Sequence, residues 1–304
     1  MAKVCAVGGQ AVMEGVMMKS GEGIALAVRK SDGEIATQFT PMRSRAQKGT
    51  FFGWPVVRGV VVFIESLSTG MGTLTESAKL AGEAIDEEPT RFEKWLSDKL
   101  GKSTESVVIG LAVVVAVALT IGLFFVLPNL VSTLAFAKSD VPGIWKSLVE
   151  GFVRLAVFVG YILLCASIKD VRRVFMYHGA EHKTIACYEA EEELTPENAM
   201  KHSRLHPRCG TNYMFLVMAV SILFFAVVGW NANFFLRLAL RIVFLPVVAG
   251  LSYELLRVAA KYDNVLTRVI RAPGLALQRI TTKEPTPDMI EVAIRAFNLA
   301  MQNN

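Results

Sequence analysis

The 304-residue chain is 53% hydrophobic and only 19% charged, with a formal net charge of +5. Soluble domains usually carry roughly 25% charged residues, and the apolar excess here is concentrated between about residues 106 and 258, which excludes an ordinary soluble globule. Lys and Arg are spread along the chain without a basic stripe and interleaved aromatics, so no direct nucleic-acid partner is expected. The four cysteines, Cys5, Cys165, Cys187 and Cys209, are unevenly spaced, and Cys165 sits in an apolar run, which argues against a disulfide framework.

Residues 1–50 read as a β-rich region. KVCAVGGQAVMEGVMM, IALAVRK and IATQFT are strand-like, with turns expected at Gly21–Gly23 and Asp32–Gly33. The amino end lacks the apolar run of a signal peptide and carries Glu14 early. Residues 51–105 form a second region, in which Trp54–Ala78 predicts an interfacial or bundle-packed helix beginning at Pro55.

A helix needs about 20 predominantly apolar residues to cross the hydrocarbon core. Four segments in 106–258 meet that test: Ser106–Leu127, Ser147–Ile168, Asn212–Trp230 and, with Arg237, Arg241, Glu254, Arg257 and a kinking Pro246, Leu236–Val258. After the first come Pro128 and Asn129, so that element either kinks and continues through VSTLAFA or turns back near the surface. The expected fold class is therefore a mainly α membrane protein of about four transmembrane helices, with a small β-containing N-terminal region and cytoplasmic helices.

Basic residues set the direction. Arg91, Lys94, Lys99 and Lys102 precede the first span. Lys169, Arg172, Arg173, Lys183, Lys201, Arg204 and Arg208 lie between spans two and three, and Lys261, Arg268, Arg271 and Arg279 follow span four. The opposite side has only Lys138 and Lys146, so both termini and the 169–211 loop are expected in the cytoplasm, facing membrane lipid. Glu150, Arg154, Arg237 and Arg241 fall near the outer ends of their spans. The spacing makes Glu150 and Arg154 an i,i+4 pair. The shallow positions favour snorkelling and pairing over a polar pathway through the bundle. In the tail, 259–304, Thr286 and Pro287 mark the start of a last helix with apolar residues at helical spacing.

All four histidines, His178, His182, His202 and His206, lie in the 169–211 loop with Cys187 and Cys209. His178 and His182 are i,i+4, on one face of a helix, where they suit a zinc-type ion with a third ligand from His206 or Cys209. His178-x-x-Glu181-His182 also matches the H-x-x-E-H spacing of inverzincin metallopeptidases, in which the Glu is catalytic. Glu181 is then the candidate catalytic residue, and His178, His182, His206 and Cys209 the candidate metal ligands. A closed structural site of those four ligands is chemically just as reasonable, and so is a polar cluster binding lipid headgroups. His202, which repeats the i,i+4 spacing with His206, and Glu254, near the cytoplasmic end of span four, are candidate supporting residues around the site. Thr195-Pro196 predicts a short helix ending before Pro207.

The motifs GGQAVMEGVMM (8–18), YHGAEHKTI (177–185), LHPRCGTNYMF (205–215), LPVVAGLSYELLR (245–257), PGLALQRITTKEP (273–285) and EVAIRAF (291–297) together resemble the YqhQ-like family of bacterial membrane proteins. That family's function is unassigned, and it sometimes carries the label "predicted metal-dependent enzyme". The resemblance implies a multi-pass protein of the bacterial inner membrane. Two functions compete: a metal-dependent hydrolase acting on a peptide or lipid-linked substrate, and a non-enzymatic scaffold or assembly factor serving membrane-protein insertion machinery. Transport ranks last, since no internal repeat is evident. Oligomeric state is open.

Overall fold

Four short strands open the described chain: β1 (Gly8–Val12), β2 (Gly15–Lys19), β3 (Gly23–Arg29) and β4 (Ile35–Pro41). They pair antiparallel in the order β1-β2-β3-β4, a meander. The computed structural model describes residues 7–47, 49–82, 104–138, 140–231, 233–262 and 264–303. Cys5 and the basic group Arg91, Lys94, Lys99 and Lys102 lie outside the described residues.

The remaining elements are helical: α1 (Val57–Leu80), α2 (Thr104–Ile121), a π-turn (Gly122–Val126), α3 (Leu127–Ala135), α4 (Gly143–Ser167), α5 (Lys169–Glu189), α6 (Pro196–Met200), α7 (Gly210–Val228), α8 (Phe234–Val243), α9 (Leu245–Lys261), α10 (Val265–Thr281) and α11 (Pro287–Gln302). Three segments, Gly110–Ala135, Gly143–Ser167 and Gly210–Val228, are long and apolar enough to cross a membrane. A broken pair, α8 and α9, makes a fourth if it counts as one span. The break falls at Phe244, and Pro246 sits in the first turn of α9. The first apolar element does not turn back: it runs on as helix to Ala135 through the π-turn and Pro128.

By packing, the chain divides into two units. One comprises Met1–Ala84, Gly160–Val220 and Leu245–Asn304, and the other Ile85–Val159 and Ser221–Phe244.

In the first unit the period of two in β2 and β3 sends alternate side chains to opposite faces. Val16, Met18, Ala25 and Ala27 join Tyr177, Ala180 and Ile185 of α5 and Ile290, Ala293, Ala296 and Phe297 of α11 in one core. Val12, Met17, Ile24, Leu26 and Val28 form a second core on the other face with Ala81. The alanines at 25, 27, 293 and 296 keep this first layer shallow enough for α11 to lie directly on the sheet. Burying each large residue such as Ile290 or Phe297 contributes about 1.5–3 kcal/mol. Elsewhere in this unit, α1 packs on α9 through Gly59, where an added Cβ would stand 2.8 Å from the Gly250 Cα. Thr286 precedes Pro287 at the start of α11 as expected, although its side chain makes no capping bond.

The second unit holds an ionic network that the sequence reading placed at the membrane surface. Glu150, Arg154, Arg237 and Arg241 are only 1–5% exposed, so these side chains do not snorkel. Glu150 Oε1 accepts from Arg154 at 2.9 Å and Arg241 at 3.0 Å, Oε2 accepts from Arg241 at 3.1 Å, and Arg237 stands 3.7 Å away. The expected i,i+4 pair forms, but inside the unit. Pro128 has no N–H, and Arg154 Nε donates to the Phe124 carbonyl at 2.9 Å. Arg237 Nε donates to Asn129 at 2.6 Å, and its guanidinium lies 3.7 Å over Trp230.

Candidate metal centre

Helix α5 begins after the extended Ile168, with Asp170 in its first turn, where a carboxylate suits the helix dipole. Along it, His178, Glu181 and His182 fall at i, i+3 and i+4 and share one face. Gly179 is what lets that face close on the segment after α10: an added Cβ there would collide with the Lys283 carbonyl. Lys283 N in turn donates to the Phe175 carbonyl at 2.8 Å.

Both imidazoles are held through Nδ1. His178 Nδ1 donates to the Thr281 carbonyl at 2.9 Å and His182 Nδ1 to the Arg204 carbonyl at 2.6 Å. A carbonyl can only accept, so each ring carries a proton on Nδ1, and it is the neutral form that presents a lone pair at Nε2. His178 Nε2 faces Cys209 Sγ at 3.1 Å. His182 Nε2 is buried and has no hydrogen-bond partner. Cys209 is carried just before α7, where Thr211 contributes its hydroxyl at 2.9 Å and its N–H at 3.4 Å to the sulfur. The ligand atoms of His178, His182 and Cys209 lie within 4.8 Å of one another. Donors on a tetrahedral zinc ion stand roughly 3.3–3.7 Å apart, so a small contraction would close the set.

Electrostatics agree with a site that wants a cation. Burial holds His182 well below the ordinary imidazole range, reinforced by His178, and keeps its lone pair free near neutral pH. Burial also pushes the Cys209 thiol up, against the lowering bonds from Thr211. A bound cation reverses that balance, because thiolate is the ligating form. Glu181, 4% exposed, is raised by burial to about 8; His178 and the Gly9 N–H pull it down, and Cys209 pushes it further up. Its Oε2 has no partner. The donor chemistry therefore fits a zinc-type ion: two nitrogens on carbonyl-anchored rings, one of them buried and unsatisfied, and one sulfur.

The other expected site residues are placed differently. His206 stacks near His182, ring centroids 5.6 Å apart, but its Nε2 faces Glu189 at 3.4 Å and it is not in the three-donor group. Burial lowers it to about 4. His202 does not share a helical face with His206, since α6 ends at Met200; its Nε2 lies 3.3 Å from Glu192, in a separate group with Cys187. Glu254 is paired with Arg58 of α1 through both carboxylate oxygens. The short helix α6 starts at Pro196 with Thr195 accepting from the Asn198 N–H.

Sequence reasoning missed the groups that orient the donors. Thr281 and Arg204 act through backbone carbonyls, which no residue type announces. Gln278 accepts from the His206 N–H and donates to the His206 carbonyl, both at 2.9 Å, and to Asn212 at 3.1 Å, tying α10 to the 202–212 segment. Its position inside the QRITTKEP motif was the available signal. Gly9, in the GGQ motif, supplies the N–H that Glu181 accepts.

A family model described as "Protein of unknown function (DUF1385)" matches residues 54–303. The chain is 31% identical over 299 residues to the uncharacterized protein YqhQ of Bacillus subtilis (strain 168), covering 96% of this chain and 91% of that protein. No solved structure matches the chain. The match over most of its length, together with the alignment to YqhQ nearly end to end, shows that the chain belongs to the DUF1385 family.

Proposed function

We propose that this chain is a multi-pass protein of the bacterial inner membrane whose 169–211 segment faces the cytoplasm and carries a zinc-dependent hydrolytic centre. The observation that carries the reading is His182 Nε2, a buried imidazole lone pair without a partner, whose opposite nitrogen is fixed on a carbonyl. Such carbonyl-anchored rings are the usual support of metal-ligating histidines. His178 and His182 bind through Nε2 and Cys209 through sulfur. When bound, the ion supplies Lewis acidity toward a carbonyl or phosphoryl group and toward water. Three protein donors rather than four favour a catalytic over a closed structural site. Glu181 shares the helix face of the two histidines, and a carboxyl raised to about 8 is matched to moving a proton near neutral pH. Peptide or lipid-linked substrates fit a centre between two membrane-spanning elements. The membrane reading itself rests on the three or four long apolar helices and on the basic residues that flank them on one side.

The test is zinc per chain, by mass spectrometry, in detergent-purified full-length protein. His178→Ala, His182→Ala and Cys209→Ala should each lose about one ion relative to wild type. Glu181→Gln should keep that ion and lose hydrolysis in a panel of peptide and lipid-linked substrates. Unchanged zinc in all three ligand variants sinks the centre. Zinc retained with no turnover of any substrate assigns it a structural role instead, and the scaffold function takes over. Orientation is read separately, by labelling single cysteines placed at 191 and 138 in intact and opened cells.

A further inference from the structure

We infer that a second zinc-type divalent ion is held by Cys187, Glu192 and His202. The ligand atoms of these residues lie within 4.8 Å of one another, and none of them belongs to the first donor set. The three come from distinct places that the chain brings together. Cys187 sits in the last turn of α5. Glu191 follows in a left-handed conformation, φ 60°, and the chain folds back so that the Glu192 N–H donates to the Cys187 carbonyl at 3.2 Å. Past α6, the His202 N–H donates to the Ala199 carbonyl at 3.1 Å, which swings the imidazole toward the end of α5. A left-handed non-glycine residue is uncommon and costs about 1 kcal/mol or more. Here it is the turn that sets Glu192 over the thiol.

Local pairing does not account for the cluster. His202 Nε2 is buried without a hydrogen bond, and the Glu192 oxygen nearest it, at 3.3 Å, belongs to a half-exposed side chain. Cys187 is fully buried in the core, and its thiol reaches only the Glu193 carbonyl at a long 3.6 Å. A divalent cation satisfies all three at once. One thiolate and one carboxylate neutralise it, and the neutral imidazole is the third donor, so no net charge is left at the edge of the core. Glu192 is exposed, so water can complete the fourth position. The donor set of sulfur, nitrogen and oxygen selects a zinc-type ion over magnesium or calcium, which take oxygen ligands. The ion's consequence is positional. It would pin the 190–202 turn to α5, and the chain that leaves this turn delivers the Arg204 carbonyl to His182 and Cys209 to His178.

Cobalt(II) titration of the full-length protein in detergent tests the site. In the chain carrying His182→Ala and Cys209→Ala, about one cobalt per chain should bind, with a thiolate-to-cobalt charge-transfer band in the near ultraviolet. Cys187→Ser should abolish that band, and Glu192→Gln or His202→Gln should weaken binding at least tenfold. Glu192 is exposed, so its substitution leaves the fold intact. In the otherwise unaltered chain, combining Glu192→Gln with His202→Gln should remove one bound ion while His178 and Cys209 keep theirs. This arm reads the second site whether or not the first binds, and does not depend on the double variant folding. A bound count and affinity that Glu192→Gln and His202→Gln leave unchanged overturn the proposal.

Discussion

The Gly9 N–H in β1 donates to the Glu181 carboxyl in α5, and a Cβ on Gly9 would stand 2.8 Å from the Glu181 Cγ, Cδ and Oε1. The strand that opens the described chain is thus the wall against which the candidate catalytic carboxyl is set. No side chain fits between them. Gly9→Ala should push Glu181 off this position at a cost of about 1–3 kcal/mol, the usual penalty of overpacking. Thermal denaturation would show the loss. The zinc content should stay unchanged, since Gly9 touches none of the three donors, and a loss of zinc would mean the wall supports the ligands as well.

Gly179 makes the corresponding contact on the other side of α5. Gly179→Ala drives a methyl into the Lys283 carbonyl, two residues past the Thr281 carbonyl that orients His178. Stability should fall by about 1–3 kcal/mol or somewhat more, and zinc affinity should fall with it, by roughly 10–100-fold as for other disturbed supports of metal-ligating histidines. Competition with a zinc chelator measures the second effect, and affinity equal to wild type would detach the 281–285 segment from the centre.

Zinc should stabilise the fold by linkage. At free zinc a hundredfold above its dissociation constant, one site adds about 2.7 kcal/mol. The shift should be reversed by chelation and reduced in His182→Ala, and a denaturation midpoint indifferent to zinc in wild type would count against both proposed sites.

In the metal-free protein, acid should unfold the first unit early. His206 is lowered to about 4 by burial, from an unfolded value near 6.5. Its folded form is the neutral one, so between pH 6.5 and 4 the unfolded chain binds more protons and stability falls as pH falls. This residue's full contribution is about 3 kcal/mol, reached below pH 4, and His182, lowered in the same direction, adds to it. Urea titrations at pH 7 and pH 5 with chelator present should show the decline. His206→Gln should flatten it, and an unchanged slope would place the titration elsewhere.

Glu150 is the only carboxylate among the three arginines of the second unit's network in the described residues. Glu150→Gln leaves buried guanidinium charge without its counter-ion, at a cost of about 3–5 kcal/mol. Adding Arg241→Gln should recover part of that loss, with a coupling of about 0.5–3 kcal/mol. Purely additive losses would show that the pair is not energetically linked. Folded yield and melting in detergent read both variants.

Much of this protein was determined by its local sequence. Runs of apolar residues specify Gly143–Ser167 and Gly210–Val228 because hydrocarbon-length helices need nothing beyond composition. The strand alternation and Gly-bearing turns of 8–41 specify the meander, Thr195-Pro196 and Thr286-Pro287 mark helix starts, and the i,i+4 spacing of His178 and His182 is a property of any α-helix. Tertiary structure decided what spacing cannot reach. Cys209 rather than His206 stands in the donor group with His178 and His182, because the chain from 201 to 209 is not helical and Gln278 of a distant helix holds the His206 backbone. His202, expected beside the site as a supporting residue, stands instead with Cys187 and Glu192, which the left-handed Glu191 turns back toward it. Glu150 and its arginines are inside rather than at the surface, because the Phe124 carbonyl and the Asn129 side-chain oxygen accept from Arg154 and Arg237, contacts that only packed helices bring together. In each case the partner is a backbone atom or a residue far along the chain, and the energy of a buried polar contact depends on that partner rather than on the residue's own neighbours in sequence.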